Sequence, residues 1–161
     1  MAQSILLPLP TNLRITMSDF TTITGSIDSS DKKIPLGTEV WIDNTCVINV
    51  EHVDQVVCFS HELADDDGEH ELRIVLKHKT EDHTEVDEAG GIVRDARLLI
   101  GDVKFDKVAL GHTFIEKTVY SHDFNGSGDA VQDQFFGEMG CNGTVSLKFS
   151  TPAYLWLLEN Q

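Results

Sequence analysis

Apolar side chains recur at every second position in one segment of this chain after another, and no other feature restricts its fold as strongly. In "LRITM", Leu13, Ile15 and Met17 fall on one side, with Arg14 and Thr16 on the other. "ELRIVLKH" sets Leu72, Ile74 and Leu76 against Arg73, Val75 and Lys77. "DVKFD" sets Val103 and Phe105 against Asp102, Lys104 and Asp106. "TVSLKFS" sets Val145, Leu147 and Phe149 against Thr144, Ser146, Lys148 and Ser150. Such a period belongs to a pleated strand with one dry and one wet face. Parallel sheets, covered on both faces, read instead as unbroken apolar runs, so antiparallel sheets are expected. No stretch before the C-terminus shows the stripe of an amphipathic helix. Sheets stacked on their dry faces make an all-β sandwich, with the antiparallel jelly roll as the economical arrangement.

Turn chemistry separates the strands. "IDNTCVINV" divides into two arms at Asp43 and Asn44, residues that tolerate left-handed backbone in a tight hairpin. "LADDDGEHEL", Leu63 to Leu72, looks at first like a metal site, because five acidic groups surround one glycine. An EF-type calcium loop with Gly68 in sixth place would start at Leu63 and end at Ile74, and neither supplies a carboxylate. The segment is therefore read as a turn entering a strand. Two longer stretches, Thr80 to Gly91 and Ser121 to Gly143, interrupt the rhythm and are expected to be irregular. With no internal repeat and no linker, residues 1–161 are read as one domain.

A formal charge of −15 leaves few cations to displace phosphate counterions, which argues against a nucleic-acid partner. Cys46, Cys58 and Cys141 are odd in number and widely spaced, so they read as small buried hydrophobes in a reducing cytoplasm. The start, "MAQSILLPLPTNL", lacks a basic region, and Pro8 and Pro10 cut its apolar run. We read no signal peptide there and no membrane span later. N-G-S at Asn125 and N-G-T at Asn142 match glycosylation acceptors but are read as turns.

Catalytic signatures are missing: no G-x-S-x-G elbow, H-E-x-x-H, phosphate loop or dinucleotide fingerprint occurs. The seven histidines (52, 61, 70, 78, 83, 112 and 122) lack ligand spacing and are read as surface or strand residues. "DFNGSGDAVQDQ" is the candidate for a bound ion. Asp123, Asn125 and Ser127 alternate, Gly128 stands sixth and Asp129 follows, while Asp133 precedes a neutral Gln134 in twelfth place. These oxygens suit calcium in kind, and a polar glycine-rich loop without an ion is the plainer alternative.

Among the aromatics, Trp41 is out of phase with Val40 and Ile42, so its ring belongs to the other face of that strand, open or covered. Tyr120, Phe124, Phe135 and Phe136 cluster around the glycine-rich loop, where exposed rings stack on sugars or bury in a neighbouring subunit. From Tyr154 through Trp156 to Leu158 the C-terminus is too uniformly apolar for a surface helix. It is read as a strand or turn packed into the sandwich, or as an interface anchor.

Three runs, "DDDGEHELRIVLKHK", "GGIVRDARLLIGDVKFD" and "GEMGCNGTVSLKFSTPAYLWLLEN", resemble small virion proteins of marine tailed phages, particularly those infecting cyanobacteria. More loosely they resemble the calcium-dependent, xylan-binding type of carbohydrate-binding module. The first resemblance implies a jelly roll built in many copies into a capsid or tail and made in the host cytoplasm. The second implies a glycan held through loop-bound calcium, a role falling on Asp123, Asn125 and Asp129 or on the loop from Asp82 to Asp95. From the sequence we therefore expect a non-enzymatic virion component, a capsid decoration or tail-associated protein attached to other virion proteins and to copies of itself. The alternative is a calcium-dependent carbohydrate-binding module for host-surface glycan. No nucleic-acid or membrane partner is expected.

Overall fold

The computed structural model describes residues 19–161, so the expected strand at Leu13 to Met17 lies outside the described residues. The alternating segments within them form strands with the apolar set turned inward. Strand β1 (Phe20–Ser29) is followed by β2 (Gly37–Ile42), β3 (Thr45–Val50), β4 (Val57–Ala64) and β5 (Glu69–Lys77). A short hairpin, β6 (Thr84–Val86) and β7 (Ile92–Asp95), leads to β8 (Leu98–Phe105) and β9 (Val108–Ala109). A six-residue helix, α1 (His112–Lys117), precedes β10 (Thr118–His122), β11 (Val131–Gln134), β12 (Glu138–Met139) and β13 (Gly143–Ser150). Helix α2 (Ala153–Asn160) closes the chain.

Two antiparallel sheets face each other. The smaller runs β12-β8-β1-β4, with β9 against β8, and the larger runs β11-β10-β13-β5-β2-β3. The chain changes sheet between β1 and β2, between β3 and β4, and again between β4 and β5. Ile23, Ile27, Phe59, Leu98 and Phe105 of one sheet meet Val40, Ile42, Leu72, Ile74, Val145 and Leu147 of the other. Each such side chain contributes roughly 1.5–3 kcal/mol on leaving water, before the entropy of ordering it is subtracted. Gly25 is needed in mid-strand because a Cβ there would sit 2.5 Å from Cζ of Phe59. The antiparallel sandwich expected from the alternation is the observed fold.

Local expectations divide. The acidic run is the turn between β4 and β5, with Asp67 in left-handed backbone and the Asp66 side chain accepting from the Gly68 amide. The stretch from Thr80 to Gly91 is more ordered than expected: a 3-10 turn at Glu81–His83 leads into β6 and its hairpin. Likewise β11 and β12 fall within the stretch from Ser121 to Gly143.

The C-terminus is a helix and not a strand or turn. Ala153, Trp156 and Leu157 bury its inner side at helical spacing, while Tyr154, Leu155 and Leu158 stay in solvent and make the run look uniformly apolar. The cysteine expectation also fails. Cys46 and Cys58 are exposed because β3 and β4 are edge strands and both residues occupy wet positions of the alternation. Cys141 is partly buried, and burial pushes its thiol up from the ordinary value.

Candidate binding face

Cross-strand register assembles a polar strip with one aromatic ring on the outer face of the larger sheet. Trp41 lies opposite Arg73, which lies opposite Ser146 on its other side; Glu39 lies opposite Asn49 and Val75, and Glu71 opposite Lys148. Their neighbours Val40, Ile42, Leu72 and Ile74 are buried, so strand periodicity turns the whole set outward.

The half-buried Trp41 ring carries the Arg73 guanidinium 5.6 Å from its centre and donates from Nε1 to Glu39 Oε2 at 3.3 Å. Arg73 Nη2 donates to the Asp43 carbonyl at 2.8 Å. Its Nε lies 3.2 Å from Glu71 Oε1, yet the N–H has no aligned acceptor. Glu71 Oε2 in turn accepts from the Ser146 hydroxyl at 2.9 Å.

Farther along, Lys77 Nζ reaches Asn49 Oδ1 at 2.5 Å and Glu51 Oε1 at 2.7 Å. The bond to Glu51 raises the ammonium above the ordinary lysine value, against the smaller pull of desolvation. Exposed ion pairs of this kind add only about 0–1 kcal/mol to stability. Their consequence is a flat surface of fixed donors and acceptors around one indole.

At one end the strip opens into a cleft of about 730 Å³, lined by Asp43, Glu69, His70, Arg73, Lys148 and Trp156 among others. His70 forms its inner wall, with a side chain only 8% exposed. Nδ1 lies 2.7 Å from Asp43 Oδ2 and Nε2 lies 2.9 Å from Asp66 Oδ1. Burial pulls the imidazole down, but the two carboxylates together outweigh it, and His70 titrates above the ordinary histidine value. Asp66 is held below the ordinary carboxylate value, chiefly by the bond from His70.

Asp43 occupies left-handed backbone at φ 52°, which an aspartate tolerates in a two-residue hairpin. Its second oxygen accepts the Glu71 amide at 2.9 Å. Reading the histidines as scattered surface or strand residues missed this arrangement. The signal was present: His70 is in phase with Leu72, Ile74 and Leu76, so it had to point inward.

The proposed calcium residues do not gather. Asp123 Oδ1 accepts the Gly126 amide at 2.9 Å and Asn125 Oδ1 accepts the Asn142 amide at 2.7 Å. The Ser127 hydroxyl donates to the Phe124 carbonyl at 2.6 Å, and Asp133, on β11, pairs with His122 at 2.8 Å. Asp129 is exposed. Among the described residues no group of three acids, histidines or cysteines comes together to hold a metal ion. As folded, Asp123 and Ser127 serve the loop's own turn, Asn125 ties it to Asn142, and Asp133 belongs to the neighbouring strand, so the five side chains do not fit a cation cage.

The aromatics part company too. Phe135 is fully buried, edge-on to Phe114 at 5.7 Å, because the chain leaving β11 turns into the space beneath α1. Trp156 is 7% exposed and packs on Phe105 at 5.7 Å, so it belongs to the core with one edge on the cleft. Phe124, Phe136 and Tyr154 are exposed. Among the candidate ligand aromatics, Trp41 carries a guanidinium over its ring and donates from it to a carboxylate.

No protein-family profile and no curated protein matches the chain. Two solved structures are loosely similar. One is the selenomethionine form of vCBM60, described in a study linking two families of calcium-dependent carbohydrate-binding modules, with 9% identity and a TM-score of 0.47 over 79% of this chain and 89% of that one. The other is vCBM60 in complex with galactobiose, with 12% identity and a TM-score of 0.41 over 78% and 96% of the two chains. Nothing in these likenesses supports the resemblance to phage virion proteins.

Proposed function

We propose that this chain is a non-catalytic binding module whose ligand is a glycan, laid across the outer face of the larger sheet with one sugar ring over Trp41. The observation that carries this is the setting of that indole. A sugar offers an apolar C–H face and a rim of hydroxyls. Trp41 offers a π-face, and Glu39, Arg73, Glu71, Asn49 and Ser146 surround it with carboxylate, guanidinium, amide and hydroxyl groups held in place by one another.

A glycan array followed by titration calorimetry tests the proposal. Trp41→Ala is expected to weaken any array hit at least about tenfold, as loss of a central aromatic anchor does. Retention of full affinity by that variant, or an array without hits, rejects it. The array is run with and without a chelator, because calcium stands apart: the Asp123 loop as folded gives no reason for binding to need it.

Attachment to other proteins, with the virion as one setting, has a different observation in its favour. Tyr154, Leu155 and Leu158 form an exposed apolar side of α2, with Leu158 76% exposed. Light scattering after gel filtration separates the two: a monomer at all concentrations, silent toward other proteins, removes attachment.

A further inference from the structure

We propose that His70 is a positioning residue for the Trp41 face: as an imidazolium it fixes Asp43, and through the Asp43 carbonyl it holds the Arg73 guanidinium against the indole. The links are continuous. Asp66 Oδ1 meets His70 Nε2, and Asp43 Oδ2 meets His70 Nδ1. The Asp43 carbonyl accepts from Arg73 Nη2 at 2.8 Å, and the Arg73 carbon stands 5.6 Å from the Trp41 ring centre.

Geometry favours the charged form. Both ring nitrogens face carboxylate oxygens, and a neutral imidazole has one N–H, so one of its nitrogens would then point a lone pair at a carboxylate. Among the described residues no cation contacts His70. The hairpin turn contributes Asp43, the β4–β5 turn contributes Asp66, the segment entering α2 contributes the neutral Thr151 hydroxyl, and β13 contributes the Phe149 ring. Along its own strand stand Glu69 and Glu71, while Arg73 and Lys148 line the outer part of the same cleft.

Loss of the proton releases one carboxylate. Asp43 keeps the Glu71 amide on its other oxygen, so the hairpin survives. When the proton leaves Nδ1, what is freed is the orientation of the turn whose carbonyl anchors Arg73. The direction follows: the raised His70 value means that its share of stability is fully present below the ordinary histidine value near 6.5 and is lost as pH rises through the higher folded value. The face is accordingly ordered on the acid side and loosened on the alkaline side. Its effect on ligand affinity rests on the glycan-binding proposal above; the coupling of His70 to Trp41 does not.

The full chain, labelled with nitrogen-15 and without ligand, is titrated by NMR from about pH 5 to about pH 9, a range spanning histidine ionisation. The Trp41 indole N–H is expected to move in a step whose midpoint matches the His70 ring and lies above the ordinary histidine value. His70→Gln should abolish the step. Asp43→Asn, which keeps an oxygen for the Glu71 amide but not the charge, should lower the midpoint and shrink it. An indole shift that is flat through the His70 titration, or a step that survives His70→Gln, overturns the proposal. If the array yields a glycan, its affinity should fall several-fold across the midpoint in the wild type and not in His70→Gln. If no glycan binds, the indole titration decides the coupling by itself.

Discussion

Replacing Lys79 by methionine is expected to destabilise the fold by about 3–5 kcal/mol, the usual cost of removing one partner from a buried ion pair. The Lys79 side chain has no exposure to solvent. Its ammonium donates to Asp95 Oδ1 at 2.5 Å, to the Gly140 carbonyl at 2.9 Å and to the Ala96 carbonyl. Three acceptors from two separate connections therefore converge on one side chain. Around it, Asn142 closes both backbone groups of the same residue, accepting the Lys79 amide and donating to the Lys79 carbonyl, each at 2.8 Å. Methionine fills much of the space and supplies no donor.

The lost group matters less than what it leaves behind: a carboxylate 13% exposed and two carbonyls without their donor. For a chain of this size the midpoint of thermal unfolding should drop by on the order of 10 °C. Urea unfolding at neutral pH measures the loss directly. Adding Asp95→Leu to Lys79→Met should restore part of it, because no orphaned charge then remains. The recovery stays partial because Asp95 also serves the Thr84 hydroxyl and Arg97.

Acid behaviour gives a second check. Burial pushes Asp95 up, yet the bonds from Lys79 and Thr84 outweigh it and hold the carboxyl below its ordinary value of 3.8. Its contribution to stability is thus present above that value and disappears as pH falls through the lower folded one. In the methionine variant this acid-side loss should shrink, because burial without the ammonium moves the folded carboxyl value up toward the unfolded one. A single variant that costs less than about 1 kcal/mol, the range of an exposed pair, would show that the lysine is not the clamp its burial implies.

Trp156→Ala is expected to cost about 3–5 kcal/mol, as truncation of a buried aromatic does, whereas Trp41→Ala should cost less than about 1 kcal/mol. Both tryptophans were candidates for a ligand or interface from the sequence, and only their surroundings separate them. Trp156 packs on Phe105 at 5.7 Å and Phe149 at 6.4 Å, and those two rings lie 4.8 Å apart. Removing the indole opens a cavity against rigid neighbours and unseats α2 from β13. Trp41 has solvent on its outer side and no packed ring beside it, so its loss should be felt in binding and little in folding. Denaturant melts of both variants, paired with calorimetry on any array hit, make the comparison. Equal losses of stability would mean that Trp41 is a core residue and that the proposed face is wrongly placed.

Much of this arrangement could be read along the chain. Strands β5, β8 and β13 announce themselves by alternation, the hairpin at Asp43 by its turn residues, and the acidic run by failing the calcium register at Leu63 and Ile74. These are short-range matters, in which each residue's size, polarity and backbone preference act on near neighbours. The errors have one source as well. Phe135 and Trp156 looked available, and Cys46 and Cys58 looked buried, because burial depends on what another part of the chain brings alongside. His70 could have been assigned to the dry face by phase, but not its two carboxylates, which arrive from turns on either side of the sheet.

Side chains alternating up and down a strand carry their instruction with them, so the local code is enough for faces, turns and the kind of fold. Neighbours across a sheet are chosen by pairing and register between distant segments. That choice put Arg73 between Trp41 and Ser146, and it became visible in the folded chain because no periodicity within one strand encodes the identity of the next.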